Sequence, residues 1–139
     1  MTPDCIVPPP TDVRALAARV LVVEDDPIVR RLLRHRFHRA GLRVTAVACG
    51  EDAVRAASEG LDPFHVVVTD GVMPGMDGFE VARHFERVAP AVPVVMISGF
   101  LAHFTSRPDI PGNIQAFFEK PFFPSEVLAK IEELLGARV

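Results

Sequence analysis

Val20-Leu21-Val22-Val23-Glu24-Asp25-Asp26-Pro27 is the stretch that decides the fold: four apolar residues, three acids, then a proline. A short apolar run without polar alternation reads as a strand buried on both faces, as in a parallel sheet covered by helices. The proline suits the first turn of a helix, where its missing N–H is no loss. One octet therefore holds the end of a buried strand, a group of carboxylates and the start of a helix.

Working outward, residues 44–47, 65–69, 94–97 and 115–118 are four more short strand candidates, and together with residues 20–23 they make five. The segments between them carry a helical period. In residues 27–40, Val29, Leu32, Leu33, Phe37 and Ala40 fall on one stripe, and Gly41 stands where a glycine commonly ends a helix. Residues 51–59, residues 77–89 before Pro90, and residues 125–135 between Pro124 and Gly136 read as further helices. Residues 100–107 allow only a short helix, because Pro108, Pro111 and Gly112 prevent extension and imply an irregular loop. Strands and helices alternating in this way imply a three-layer α/β domain with right-handed crossovers.

Residues 19–137 are assigned to that domain, and 139 residues is an ordinary length for one domain. Residues 1–18, with Pro8-Pro9-Pro10, are expected to form a flexible tail with room for a short helix over residues 11–19. A net charge of −3 gives no reason to expect direct DNA binding. Cys5 and Cys49 have neither disulfide-framework nor metal-ligand spacing, which suits reduced thiols. There is no apolar run of membrane-spanning length and no signal-peptide pattern, so the expected setting is cytoplasmic, without membrane contact.

In an open parallel sheet, functional groups gather beyond the carboxyl ends of the strands. Reading there, the first strand is followed by Glu24-Asp25-Asp26, the third by Asp70, the fourth by Ser98 and the fifth by Lys120-Pro121; the second contributes nothing. Converging carboxylates raise one another's pKa unless a cation compensates, and Mg²⁺ suits a site with one or two direct carboxylates, a carbonyl and waters. Lys120 adds a positive centre for an anion, and Ser98 a neutral donor. Such a set suits phosphoryl transfer, with Asp70 as a carboxylate nucleophile forming an aspartyl-phosphate. Singly, each residue has a plain structural explanation: paired acids start helices, and an aspartate after a strand often makes a turn. Their common placement is what chance rarely supplies.

Residues 20–27, the run Asp70-Gly71-Val72-Met73-Pro74-Gly75-Met76-Asp77-Gly78, Ser98-Gly99 and Lys120-Pro121-Phe122 resemble the receiver domain of bacterial two-component response regulators, over residues 20–136. The resemblance implies a flavodoxin-like (βα)5 sandwich whose five-stranded parallel sheet has the order 2-1-3-4-5. It makes Asp70 the phosphoacceptor, Asp25 a direct Mg²⁺ ligand, Glu24 a ligand acting mostly through water, and the Val72 backbone carbonyl a third protein ligand. It also implies that Ser98 bonds the phosphoryl group, that Lys120 pairs with Asp70, and that Pro121 follows a cis peptide bond. Phe117, three residues before the lysine, matches the aromatic switch of the family. The implied partners are a histidine kinase or histidine phosphotransfer protein as donor and an unknown downstream protein target. The chemistry expected is self-phosphorylation and self-dephosphorylation, rather than turnover of a separate substrate. Gly71 departs from the apolar residue usual after the acceptor and is expected to loosen that loop. Apolar Val72 and Phe100 flank the acceptor and predict a long-lived phosphoryl group. Ser98-Gly99, Phe100 and the proline-glycine segment before Phe117 look closer to receivers of hybrid sensor kinases than to those of transcription factors.

Two rival classes share parts of this set: a Mg²⁺-dependent phosphatase, which would need a further acid for the leaving group, and a binding module that no longer cycles phosphate. Separately, Arg30, Arg31, Arg34, Arg36, Arg39 and Arg43 with His35 and His38 form a run in which no acid occurs between Pro27 and Gly50. It reads either as a solvated helix face or as an electrostatic dock for an acidic histidine-containing partner.

Overall fold

A computed structural model of the chain describes residues 18–60 and 62–136; the expected tail and its short helix lie outside these apart from the last two residues. Five parallel strands, β1 (Arg19–Val23), β2 (Arg43–Val47), β3 (Val66–Asp70), β4 (Val94–Ser98) and β5 (Ile114–Glu119), form one sheet in the order β2-β1-β3-β4-β5. They alternate with α1 (Pro27–Arg39), α2 (Gly50–Glu59), α3 (Gly78–Val88), α4 (Leu101–Thr105) and α5 (Pro124–Gly136). The expected fold and strand order are therefore present, and the expected strand limits differ from the observed ones by a residue.

Period-two alternation along the strands divides the core into two layers. Val20, Val22, Val66, Val68, Val95 and Ile97 pack with Leu33 and Phe37 of α1 and with Val127, Ile131 and Leu135 of α5. Leu21, Val23, Val67 and Val94 point the other way, against Ala53 of α2 and Val81, Ala82 and Phe85 of α3. All five residues of β3 and of β4 are buried, which is why those strands lack polar alternation in sequence.

Local chemistry sets the helix ends. The Asp26 side chain caps α1 by accepting from the Ile28 amide at 2.8 Å, Pro27 opens the first turn, and Gly41 follows the helix with φ 92°. Asp77 and Glu80 form a reciprocal capping box on α3, with bonds of 2.9 and 3.0 Å. One position of the expected α1 stripe is corrected. Leu32 is 48% exposed, because at about 100° per residue it stands roughly 100° round the helix from Leu33 and roughly 140° from Phe37.

The fourth helix is as short as expected, but the loop after it is held to α3. Asp109 takes charge-assisted bonds from Arg83 (2.6 Å) and Arg107 (2.7 and 3.0 Å), and the Arg107 guanidinium lies 4.6 Å from the Phe79 ring centroid. The Gly112 amide donates to Glu86 at 3.0 Å, and the Asn113 side chain donates to the Ala82 carbonyl at 2.9 Å. No helix among the described residues is long and apolar enough to cross a membrane.

Candidate functional site

The sheet delivers its polar residues to one edge because all five strands run the same way. Register pairs Asp70 of β3 with Ile97 of β4, so Ser98 lies one step beyond Asp70's partner, and Ser98 in turn pairs with Glu119 just before Lys120. Glu24 follows β1, and its amide donates to the Val47 carbonyl at 3.0 Å, extending the β1–β2 ladder by one bond.

At the centre is Lys120. Its Nζ lies 2.9 Å from Glu24 Oε1 and 3.0 Å from Asp70 Oδ2, so one ammonium bridges two buried carboxylates. Glu24 is 1% exposed and Asp70 7%. The second Glu24 oxygen accepts the Asp26 amide at 3.1 Å. Oxygen atoms of Glu24, Asp25 and Asp70 lie within 4.8 Å of one another, and Asp25 stands exposed at the rim. Three carboxylates offering only hard oxygen atoms at one point form a donor set that fits Mg²⁺. The Lys120–Pro121 peptide is cis, as expected.

Electrostatics agree with a site short of positive charge. Burial pushes the Glu24 carboxyl from 4.5 up to about 7, although its bonds from Lys120 and the Asp26 amide pull the other way. Burial alone would lower the Lys120 pKa, but the bonds to Glu24 and Asp70 outweigh it and hold the ammonium above its ordinary 10.5. Between 4.5 and about 7 the folded chain holds a Glu24 proton that the unfolded chain has released. Metal-free stability therefore falls as pH rises through that window. Glu24→Gln lacks this loss, so in EDTA its stability relative to the parent should rise by about 2 kcal/mol between about pH 5 and pH 7.5. Urea unfolding measures it; a difference that does not change with pH would contradict the assignment.

Ser98 is fully buried, and its Oγ accepts the Phe100 amide at 2.9 Å, leaving the hydroxyl proton free to turn elsewhere. Val72, two residues after Asp70, and Phe100, two after Ser98, are both exposed, at 46% and 66%. Phe117 is half-buried and packs against Phe79, Met96 and Phe104.

Two features escape a linear reading. Arg30, one turn into α1, donates to the Glu24 carbonyl at 2.9 Å and reaches the Asp25 carbonyl at 3.5 Å, tying the acidic loop to the helix. In sequence it is one arginine in a run of them. The second is Gly71, whose expected loosening of the acceptor loop is corrected. A Cβ there would lie 2.5 Å from the Phe104 ring, so the ring of α4 fills the missing side chain's place. The loop is further closed by the Gly71 amide on the Ile97 carbonyl (2.9 Å) and the Gly78 amide on the Gly71 carbonyl (2.8 Å).

Gly78 is more constrained still: a Cβ would meet the Asp70 carbonyl oxygen at 2.5 Å and Gly71 Cα at 3.0 Å, both backbone. Gly78→Ala should thus destabilise by about 3 kcal/mol, and Gly71→Ala by about 1–2 kcal/mol because an aromatic ring can shift where backbone cannot. Denaturant midpoints give the order, and a neutral Gly78→Ala would show the contact to be slack.

Compared with known proteins, residues 20–132 match the family model of the response regulator receiver domain. The response regulator receiver protein CpdR of Brucella abortus is 35% identical over 120 residues, covering 86% of this chain and 98% of CpdR. The transcriptional regulatory protein TcrA of Mycobacterium tuberculosis is 34% identical over 121 residues; the match covers 87% of this chain but 47% of TcrA, so the chain spans about half of that relative. Among solved structures, the response regulator TrrA of Thermotoga maritima, in complex with Mg²⁺–BeF, superposes with a TM-score of 0.75 at 26% identity, covering 84% of this chain and 98% of TrrA.

Proposed function

The chain belongs to the response regulator receiver family, and from that premise we propose that Asp70 is its phosphoacceptor. A phosphohistidine on a histidine kinase or histidine phosphotransfer protein donates. An Asp70 carboxylate oxygen attacks phosphorus, the P–N bond breaks, and the imidazole leaves as a neutral ring once it takes a proton. The product is a mixed anhydride on Asp70.

The observation that carries this reading is the Lys120 ammonium 3.0 Å from Asp70 Oδ2, a cation held against the carboxylate that the proposal makes the nucleophile. Lys120 holds the carboxylate in position and neutralises charge on the phosphoryl oxygens. The Ser98 hydroxyl donates to one of those oxygens. Asp25, Asp70 and the Val72 carbonyl would hold Mg²⁺ directly, and Glu24 would act through water, since its two oxygens already serve Lys120 and the Asp26 amide. When bound, Mg²⁺ supplies charge neutralisation across the phosphoryl oxygens. Phe117, already against Phe104 and Met96, reports the change toward the surface of α4 and β5 and so to a downstream protein.

Acetyl phosphate or beryllofluoride with Mg²⁺ tests the reading, with intact mass spectrometry and phosphate release as measurements. One adduct per chain at Asp70 supports a receiver. Many turnovers would make the chain a phosphatase, and no adduct a module that has lost its chemistry. Apolar Val72 and Phe100 cannot orient an attacking water. The adduct should accordingly persist at room temperature for on the order of minutes or longer, and release within seconds would refute the water-exclusion argument.

A further inference from the structure

Helix α1 presents two unlike exposed stripes. Ile28 and Leu32 form an apolar one, 78% and 48% exposed. The other consists of Arg31, Arg34, His35 and His38, at the i, i+3, i+4 and i+7 spacing of a single helix face, all exposed.

The basic stripe lines a trough against the edge strand β2. A cavity of about 510 Å³ is bounded by Arg31, Arg34, His35, His38 and Val44. A second, of about 200 Å³, is bounded by Pro27, Arg30, Arg31, Arg34 and Ala46, so the two share Arg31 and Arg34. No acid occurs in sequence from Pro27 to Gly50, and neither Arg31 nor Arg34 has an ion-pair partner among the described residues. Cations three and four apart on one helix repel by a few tenths of a kcal/mol per pair. The macrodipole favours those in the last turn, Arg36, His38 and Arg39, but not Arg31 or Arg34 in the middle. With a net charge of −3 for the chain, the stripe is a local concentration of positive charge and not part of a generally basic surface.

We propose that the trough between α1 and β2 binds a small polyphosphate, Arg31 and Arg34 each gripping a phosphate through the guanidinium fork and His35 and His38 flanking them. Guanidinium geometry matches phosphate oxygens in pairs. The larger cavity has the size of an ordinary small-ligand site, and Val44 gives its wall an apolar patch that a nucleoside base would cover. A protein partner would be expected to seat its apolar centre on Ile28 and Leu32, on the other stripe.

The test is calorimetric titration of the full chain in EDTA with two probes, inorganic tripolyphosphate and ATP. Saturable one-to-one binding is expected. It should weaken by at least about tenfold in Arg31→Glu/Arg34→Glu, which removes both forks, and by less than about threefold in Arg36→Glu/Arg39→Glu, which makes the same charge change off the trough. Equal affinity for the two probes assigns the site to a polyphosphate chain, and tighter ATP binding assigns it to a nucleotide. Circular dichroism checks folding, and both variants should keep their helices because all four arginines are exposed. Three results would overturn the proposal: no saturation with either probe, equal loss in both double variants, or a trough pair that weakens only an acidic phosphohistidine donor protein and neither probe.

Discussion

Asp70→Asn is expected to abolish phosphoryl incorporation from acetyl phosphate and from any phosphohistidine donor, by at least about a thousandfold, the scale on which loss of a nucleophile acts. The substitution is nearly isosteric, so the effect isolates the nucleophile. A carboxamide oxygen carries no full charge and cannot form a stable anhydride. Neighbouring acids do not substitute: Glu24 is held by Lys120 and the Asp26 amide, while Asp25 stands at the exposed rim. The variant should fold at least as well as the parent, because it removes one of three clustered carboxylates and leaves Lys120 its 2.9 Å bond to Glu24. Intact mass after incubation with acetyl phosphate and Mg²⁺ is the measurement. An adduct that persists in Asp70→Asn would move the acceptor elsewhere and overturn the assignment of the whole site.

Lys120→Met should damage both stability and chemistry. Removing one partner of a buried ion pair typically costs about 3–5 kcal/mol, because a charge is left uncompensated. Here Lys120 is partly open to solvent, which screens the pair, and about 2 kcal/mol at pH 8 is the expected loss. The loss should shrink toward pH 6, where Glu24, already raised to about 7 and raised further without its ammonium, escapes by taking a proton. Phosphorylation should fall by about a hundredfold or more even where the variant is folded, since the fixed cation beside Asp70 Oδ2 is gone. Urea unfolding at the two pH values and the rate of adduct formation test the two parts separately. Parent-like stability at pH 8 would mean that the bridge contributes little. A parent-like rate would mean that Lys120 is structural only.

Much of this was legible from residue order. Apolar runs without alternation identified the buried strands, and Pro27, Asp77 and Gly41 marked helix ends because capping depends on near neighbours. Glu24, Asp25, Asp70, Ser98 and Lys120 were legible as a set because parallel strands release their next residues at one edge. Leu32 was misjudged because it lies at the edge of the α1 stripe, about 140° round from Phe37, and the packing of α1 leaves that edge in solvent.

The rest depends on contacts across the fold. That a single ammonium bridges Glu24 and Asp70, 96 and 50 residues away in sequence, follows from β1 and β3 lying side by side with β5 beyond them. The partnership of Gly71 with Phe104, the grip of Arg30 on the acidic loop and the binding of the proline-rich loop to α3 through Asp109 are likewise set by lateral packing. Sequence alone determined which elements form and which chemical groups stand at their ends, because hydrophobic period and capping are local. Tertiary structure decided which groups touch, how deeply Glu24 is buried and where the arginines of α1 face, because burial and charge pairing arise only when distant elements pack.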